Sequence, residues 1–287
     1  MGTNISTPGR NFLAPSGKKC ALFLDLDGTI LECEKYFRSA WKRFELLMSL
    51  LGFDAKVVCQ DAQALKVQYH AKHGYPPESL GKAFIKAYCR ACRTANMTPR
   101  WDIIENCRDI GHSPHFREPE LFPEAAPVLN RARYNFLMVA VTCGDRDVQY
   151  YKIKKAGLRS VFDHVIVTQH SIKSELVAAA IADMNIDPKY SLFIGDSLGS
   201  DGQCLKNTNF LHLPLEGSAV GKGELPKFTA FSSYKASSWR EAEEMGINRL
   251  IRQRQVALEL EAAKLDKLVK AQSDPLRDSQ PLPGSYK

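Results

Sequence analysis

The sequence predicts an α/β fold with a parallel sheet at its core and a smaller helical domain inserted into that core. Two observations support this fold class. Short apolar runs of strand length recur along the chain, and several of them end in acidic or hydroxyl side chains. The segment between the first and second of these runs instead carries apolar residues at the three- and four-residue spacing of amphipathic helices.

The first strand is predicted at Ala21–Leu24, and Asp25, Asp27 and Gly28 follow it closely. A strand that ends in this way presents its carboxylates at the carboxyl edge of the sheet, where open α/β folds bind their ligands. Asp-Gly is also a common turn dipeptide, so for this segment by itself a strand followed by an ordinary tight turn, without a functional site, is an equal alternative.

A second strand-like run, residues 191–194, repeats this arrangement, since Asp196 and Asp201 follow it. Two buried strands that deliver carboxylates to one sheet edge would repel each other unless a positive charge lies between them. A divalent metal ion would supply that charge. Because the candidate ligands are oxygen atoms, with no His or Cys among them, the set favours a hard cation. A site that keeps waters for a phosphate group suits Mg²⁺ better than Ca²⁺.

Two further predicted strands lie between these acidic segments. Residues 136–141 form an apolar run that ends in Thr142 and Cys143, a hydroxyl followed by a turn whose amides could face an anion. Residues 161–168 form the other run, and Lys173 follows it just before a predicted helix. Taken singly, such a threonine is usually a turn former and such a lysine is usually a surface charge. Their order along the chain makes them candidates for phosphate chemistry.

The helical insertion is predicted to contain helices at residues 36–51, 57–73, 77–94 and 101–110, the first of which ends at Gly52. From residue 35 to residue 100 it carries twelve Lys and Arg against four Asp and Glu, and such a surface would steer an anionic substrate. We expect Lys35, Arg38, Lys42 and Arg43 to face that substrate, the alternative being that they are solvated. No recognisable nucleic-acid-binding motif accompanies them, so no nucleic-acid partner is expected.

Composition narrows the class of protein. The chain has 287 residues, of which 44% are hydrophobic, enough for one large core or two linked ones. No apolar run approaches the roughly 20 residues that span a bilayer, and no secretory signal is recognisable, so we expect a cytoplasmic protein without an integral membrane segment. The eight cysteines are expected to be reduced, and Cys89 and Cys92 to be neighbours within a helix and not zinc ligands. The N-terminal Gly2 and Ser6 fit the N-myristoylation motif, which leaves lipidation open.

The C-terminal region is predicted to form a long helix over residues 238–271, with Ser238 as its N-cap and Gly246 as a candidate break. Apolar residues recur seven apart in its second half, which suggests self-association through a coiled coil. Packing on the protein's own core is an equal alternative, because Arg254 interrupts the apolar pattern. Residues 274–287, rich in Pro, Ser and charge, are expected to be disordered.

The ordered motifs together resemble those of the haloacid dehalogenase superfamily of aspartate-nucleophile hydrolases. Residues 21–30 are similar to the first signature of that family, Thr142 to the second, Lys173 to the third and residues 195–201 to the fourth.

This resemblance covers about residues 19–32 and 120–215. Two positions depart from the family pattern, since Glu124 stands where glycine is usual and Ser174 replaces a frequent proline. Neither position carries the predicted chemistry.

The resemblance implies a three-layer Rossmann-like core and a helical cap that sets substrate choice. The implied division is a flexible N-terminus at residues 1–18, a catalytic core at residues 19–32 and 119–245, a cap domain at residues 33–118, and a C-terminal helix with a disordered tail at residues 246–287.

The resemblance also implies the chemistry. Asp25 would attack phosphorus and form an aspartyl phosphate, and Asp27 would act as general acid and base. An acid two residues after the nucleophile is typical of phosphatases and phosphomutases, whereas true dehalogenases lack it. The physical reason is that an alkoxide leaving group needs a proton and a halide does not.

The remaining family roles map onto matching positions. Mg²⁺ would be held by Asp25, Asp196 and the backbone carbonyl of Asp27, with Asp201 supporting the metal waters or the lysine. Thr142, Cys143 and Lys173 would bind the phosphate oxygens, and Lys173 would also offset negative charge as a catalytic residue.

The function implied is Mg²⁺-dependent hydrolysis of a small phosphorylated metabolite. A phosphomutase is an alternative, since it would use the same residues and differ in the group that receives the phosphoryl. A catalytically inactive binding protein of the same superfamily is the alternative from another class. We would expect such a protein to lack Asp25, Asp27 or Asp196, and all three are present.

Overall fold

The structure is a computed structural model that describes residues 12–169, 173–216 and 223–273, the last three of these by their backbone alone. The candidate lipidation motif at Gly2 and the tail at residues 274–287 lie outside the described residues. Within the N-terminal segment expected to be flexible, residues 12–18 instead form a turn on the core, because Ala14 is buried in the core cluster and Leu13 pairs with Lys19.

Six parallel strands form one sheet in the order β3-β2-β1-β4-β5-β6. The strands are β1 (Ala21–Leu24), β2 (Leu137–Cys143), β3 (His164–Thr168), β4 (Leu192–Gly195), β5 (Asn209–His212) and β6 (Ser233–Lys235). Strands β1 to β4 correspond to the predicted strands, although β3 begins at His164 and not at residue 161. The sequence did not indicate β5 or β6.

The α-helices of the described residues are α1 (Glu34–Leu50), α2 (Ala55–His73), α3 (Ser79–Thr94), α4 (Trp101–His112), α5 (Ala125–Ala132), α6 (Arg146–Lys155), α7 (Lys173–Asp183), α8 (Trp239–Ala242) and α9 (Arg249–Ser273). Helices α1 to α4 correspond to the predicted helical insertion. None of the described helices is long and apolar enough to cross a membrane.

Both faces of the sheet are covered. Leu22 and Leu24 of β1 belong to one apolar cluster, which includes Leu129 of α5. Phe23, on the opposite face of β1, belongs to a second cluster with Val177 of α7. This burial on two faces explains why the strands are continuous apolar runs, and it confirms the predicted three-layer α/β fold.

The helical insertion packs around its own apolar cluster, separate from the two clusters of the sheet. The rings of Phe44 and Phe84 stack at its centre with a centroid distance of 4.0 Å, and the ring of Trp41 meets Phe84 edge-on at 4.8 Å. The chain leaves the sheet and returns to it at one place, where Leu31 pairs with Leu121 in an antiparallel bridge. The insertion is therefore attached to the core through two adjacent segments.

The C-terminal helix is interrupted as the sequence suggested. Ser238 caps α8, because its Oγ accepts from the amide of Glu241 at 3.2 Å. A π-helical segment, Glu243–Asn248, contains Gly246 and joins α8 to α9. Arg254 of α9 is buried and donates to the backbone oxygen of Asn135 at 2.8 Å, so the start of this helix packs on the core.

The eight cysteines are all free, as expected. Cys89 and Cys92 lie on α3, where Cys92 is buried in the apolar cluster of the insertion. Among the described residues, the side chains that could together hold a metal ion are those of Asp25, Asp196 and Asp201, and no cysteine belongs to this group.

Candidate active site

The predicted site residues lie at the carboxyl edge of the sheet, on neighbouring strands. Asp25 directly follows β1, Asp196 directly follows β4, and Thr142 lies at the end of β2. Since β1 is hydrogen-bonded to both β2 and β4, these three residues are adjacent in space as well as at the same edge. The chain also reverses its direction of winding beside β1, which is where open α/β sheets bind ligands.

Three of the predicted carboxylates form a compact buried group that we call the acidic triad: Asp25, Asp196 and Asp201. One oxygen from each lies within 4.8 Å of the others. The ammonium of Lys173, at the start of α7, donates to Asp25 Oδ1 at 2.5 Å and to Asp201 Oδ1 at 2.7 Å. Thr29 holds the other oxygen of Asp25 through its hydroxyl at 3.1 Å.

The three carboxylates of the acidic triad outnumber the single ammonium group of Lys173 beside them. Burial raises the pKa of Asp25 to about 7, assisted by repulsion from Asp201 and opposed by Lys173. Burial and repulsion from the other two carboxylates raise the pKa of Asp196 to about 8. One lysine therefore does not neutralise three buried carboxylates, and a hard divalent cation would fit this all-oxygen set.

Two glycines allow the acidic segments to approach each other. A Cβ on Gly28, whose φ is +87°, would lie 2.5 Å from Asp196 Oδ2. A Cβ on Gly195 would lie 2.3 Å from Asp201 Oδ2. Real side chains do not tolerate such distances, so the close spacing of the carboxylates depends on glycine at both positions.

Thr142 and Cys143 lie beside the acidic triad at the end of β2. The hydroxyl Oγ1 of Thr142 is buried and has no hydrogen-bond partner among the described residues. A buried hydroxyl of this kind needs an acceptor or donor from a ligand or water, which fits a phosphate oxygen. Burial raises the pKa of the Cys143 thiol to about 11, so the thiol is neutral near pH 7.

The side chain of Asp27 points away from the acidic triad and has its own partners. Its Oδ2 accepts from the ammonium of Lys152 at 2.6 Å and from Gln149 Nε2 at 3.1 Å, and its Oδ1 accepts from the thiol of Cys33 at 3.0 Å. Burial raises the pKa of Asp27, but attraction to Lys152 and these hydrogen bonds outweigh it, so the pKa is held below its ordinary value.

Lys152, Gln149 and Cys33 are site residues that the sequence did not identify. Lys152 and Gln149 share one face of α6 because they are three residues apart, and both are almost fully buried. In the sequence, the three-residue spacing of Gln149 and Lys152 indicates that they share one face of a helix. Lys154 and Lys155 look equally plausible there as site residues.

A cavity of about 300 Å³ lies between the helical insertion and this edge of the sheet. The residues that α1 contributes to its wall are Glu34, Phe37 and Trp41. The predicted substrate-facing set Lys35, Arg38, Lys42 and Arg43 does not line it, so that expectation is wrong. Lys35 instead forms ion pairs with Glu32 and Glu120, because the aromatic residues of α1 turn the basic face away from the cavity.

Comparisons with known proteins agree with this arrangement. Residues 21–207 match the family model described as haloacid dehalogenase-like hydrolase. The N-acylneuraminate-9-phosphatase of Rattus norvegicus is 24% identical over 205 residues, which are 64% of this chain and 76% of the rat protein.

Solved structures of other proteins resemble this fold. A haloacid dehalogenase-like family hydrolase from Xanthomonas campestris gives a TM-score of 0.67 at 19% identity, over 83% of this chain and 99% of that one. The HAD-hydrolase YfnB from Bacillus subtilis, whose structure is bound to magnesium, gives a TM-score of 0.53 at 16% identity, over 79% and 98% of the two chains. At these identities the likeness establishes the fold alone.

Proposed function

Because the chain belongs to the haloacid dehalogenase-like hydrolase family, we propose that it is a Mg²⁺-dependent phosphatase that hydrolyses a small phosphomonoester. The observation that carries the proposal is the acidic triad with Lys173 bonded to it, next to a second type of carboxylate, Asp27, at the cavity. The phosphatase named among the relatives supports this reaction class.

The reaction would proceed in two displacements at phosphorus. In the first, a carboxylate oxygen of Asp25 forms a bond to phosphorus while the bond to the leaving oxygen breaks. Asp27, whose pKa is lowered in the free protein, would have to take up a proton in the substrate complex, and it then gives that proton to the leaving oxygen. In the second, water attacks the aspartyl phosphate, Asp27 takes the proton of that water, and the bond to Asp25 breaks. Phosphate is released, Asp25 returns as a carboxylate and Asp27 returns protonated.

The neighbouring groups would hold the phosphate and balance its charge. Mg²⁺ would be held by Asp25, Asp196 and the carbonyl of Asp27, with Asp201 supporting it, and when bound it would offset the charge that accumulates on the phosphate. The Thr142 hydroxyl and the amides near Cys143 would bind phosphate oxygens. Lys173 would fix the orientation of Asp25, to which it is bonded at 2.5 Å.

The substitution Asp25→Asn tests the proposal. We expect the wild-type protein to release phosphate from p-nitrophenyl phosphate when Mg²⁺ is present and to stop when it is removed. Asp25→Asn should reduce this activity to background, since an amide keeps the shape of the side chain but cannot form the aspartyl phosphate.

The matched control is Asp183→Asn, which changes an exposed carboxylate at the end of α7 and should retain wild-type activity. Most of the activity remaining in a folded Asp25→Asn protein, with deamidation excluded by mass spectrometry, would contradict the covalent mechanism.

A further inference from the structure

The wall that the helical insertion contributes to the cavity carries a cation without a counter-ion. Lys66 of α2 lines the cavity, and no described carboxylate oxygen lies within 4 Å of its Nζ. Burial lowers the pKa of Lys66, and the attraction of Glu34 only partly opposes this effect. Lys66 is half-buried, and an ammonium in this situation is stabilised by an anion that enters the cavity.

Other basic groups in the cavity do not offer a charge. Lys152 is paired with Asp27 at 2.6 Å. Burial lowers the pKa of His70 to about 4, with a contribution from Lys66, and burial likewise lowers the pKa of His115 to about 4, with a contribution from Lys152. Both imidazoles are therefore neutral near pH 7, which leaves Lys66 as the available positive charge among the described residues of the wall.

Two uncharged polar atoms of the cavity wall also lack partners among the described residues. His115 Nε2 and Gln149 Oε1 are buried and have no hydrogen-bond partner among the described residues. Gln149 is 3% exposed, and its amide nitrogen is bonded to Asp27, which places its free oxygen near the expected leaving group. Buried polar atoms of this kind are normally satisfied, here by polar groups of a ligand.

We propose that Lys66 binds a carboxylate on the leaving group, and that His115 and Gln149 bind the hydroxyl groups between this carboxylate and the phosphate. The substrate class is then a phosphomonoester of a hydroxylated carboxylic acid. This inference rests on the proposed phosphatase function, because that function places the phosphate at Asp25.

The charges of the cavity favour one carboxylate over other polar groups. A neutral sugar hydroxyl would leave the Lys66 charge uncompensated. A second phosphate would bring up to two negative charges against one lysine, and Glu34 in the same wall would repel it more strongly than a singly charged carboxylate. A carboxylate brings a single charge, which Lys66 neutralises.

Equilibrium binding to the full-length Asp25→Asn protein, measured by calorimetry with Mg²⁺ present, tests this inference. The probes are 6-phosphogluconate and sorbitol 6-phosphate, which share a phosphorylated six-carbon chain. The first ends in a carboxylate where the second ends in a hydroxymethyl group. We expect 6-phosphogluconate to bind about tenfold or more tightly, an effect between those of exposed and fully buried charge pairs because Lys66 is half-buried. Adding Lys66→Met should bring the two affinities within about threefold of each other.

Sorbitol 6-phosphate should bind equally well with and without Lys66→Met, which reports an intact fold. Lys66→Arg should restore part of the preference, and Lys72→Met, on the exposed side of α2, should leave it unchanged. Equal affinity of the Asp25→Asn protein for the two probes, or a preference that survives Lys66→Met, would overturn the inference. Failure of the proposed function would appear separately, as a wild-type protein that does not hydrolyse p-nitrophenyl phosphate.

Discussion

Lys152 is 4% exposed, and its ammonium lies 2.6 Å from the carboxylate of Asp27. A proton donor is effective only when it is held at the leaving oxygen, so the position of Asp27 matters as much as its chemical type. With Gln149 and Cys33, Lys152 fixes this carboxylate from two sides. We therefore regard Lys152 as a positioning residue for the proposed reaction, since its charge lowers the pKa of Asp27 and would not by itself make this group a better acid.

Lys152→Met should lower kcat for an alkyl phosphate by about tenfold or more, which is part of the ~10²–10⁴ that general acid catalysis contributes. The loss on p-nitrophenyl phosphate should be much smaller, because that leaving group departs without a proton. Single-turnover phosphorylation rates for both substrates would measure the difference. Lys154→Met, which changes an exposed lysine of the same helix, is the control. Equal losses on the two substrates would mean that Lys152 does not act through Asp27.

The raised pKa values of the acidic triad predict how stability depends on pH. Asp25 and Asp196 have pKa values of about 7 and about 8 in the folded protein against an ordinary value of 3.8. The folded state then binds more protons than the unfolded state between pH 4 and pH 8, so the metal-free protein should lose stability as the pH rises through this range. Bound Mg²⁺ should counteract this loss, because it neutralises the ionised carboxylates.

Thermal unfolding with EDTA or Mg²⁺ at pH 6 and pH 8 would measure this effect. We expect Mg²⁺ to raise Tm more at pH 8 than at pH 6, by at least ~3 °C, the shift that corresponds to ~1 kcal/mol in a protein of this size. Asp196→Asn should reduce both the metal-free pH dependence and the shift caused by Mg²⁺. The same shift at both pH values would show that the metal does not bind at the triad.

The sequence was sufficient to find the residues that follow strands, but not those that depend on which side of a helix is buried. Asp25, Asp196 and Lys173 could be placed together because their order along the chain fixes the strands that they follow. Lys152 could not be distinguished from Lys154, since burial of one lysine depends on how α6 packs against the sheet. The basic face of α1 was misplaced for the same reason.

At the scale of elements, Gly246 explains the interruption between α8 and α9. A Cβ at this position would lie 2.6 Å from Leu211 Cδ1 and 3.0 Å from Leu192 Cδ2, and both leucines are fully buried in strands of the sheet. The helix can approach the sheet this closely only without a side chain here, and the π-helical turn accommodates that approach.

Gly246→Ala should therefore destabilise the protein although alanine is the better helix former. Alanine gains up to ~1 kcal/mol of helix propensity, but overpacking a rigid core costs ~1–3 kcal/mol, so a net loss of ~1–2 kcal/mol is expected. Urea unfolding would measure the change in the free energy of unfolding, with Gln255→Ala on the exposed side of α9 as the control. Unchanged or increased stability of Gly246→Ala would mean that the two leucines can move aside.

The elements themselves were predictable where their pattern was long or apolar. Helices α1 to α4 and strands β1, β2 and β4 lie within a few residues of their predicted bounds. Strand β5 was missed because it contains Asn209 and His212, which look like loop residues. Both are buried and satisfied by backbone oxygens, since Asn209 donates to Ser191 at 2.9 Å and His212 Nε2 lies 2.9 Å from the carbonyl of Asp196.

At the scale of the whole molecule, the two ends of α9 lie in different surroundings, which bears on the two alternatives that the sequence left open. Its first turns pack on the core through Leu250 and Arg254, which are almost fully buried. Further along the helix, Leu258, Leu265 and Leu268 are exposed, the last two by more than half of their surface. Self-association through this outer part stays a prediction.

The long insertion between β1 and β2 has a consequence for the order of folding. Ala21 pairs with Leu137, and more than a hundred residues of the chain separate them, whereas the contacts within the insertion are between helices close in sequence. Local contacts form faster than distant ones, so α1 to α4 should fold before the sheet closes around β1. At a translation rate of about 5–20 residues per second, the apolar strand β1 would wait roughly 6–23 s on the ribosome before its first neighbour is synthesised. During that interval it is an exposed, unpaired strand of the kind that chaperones bind.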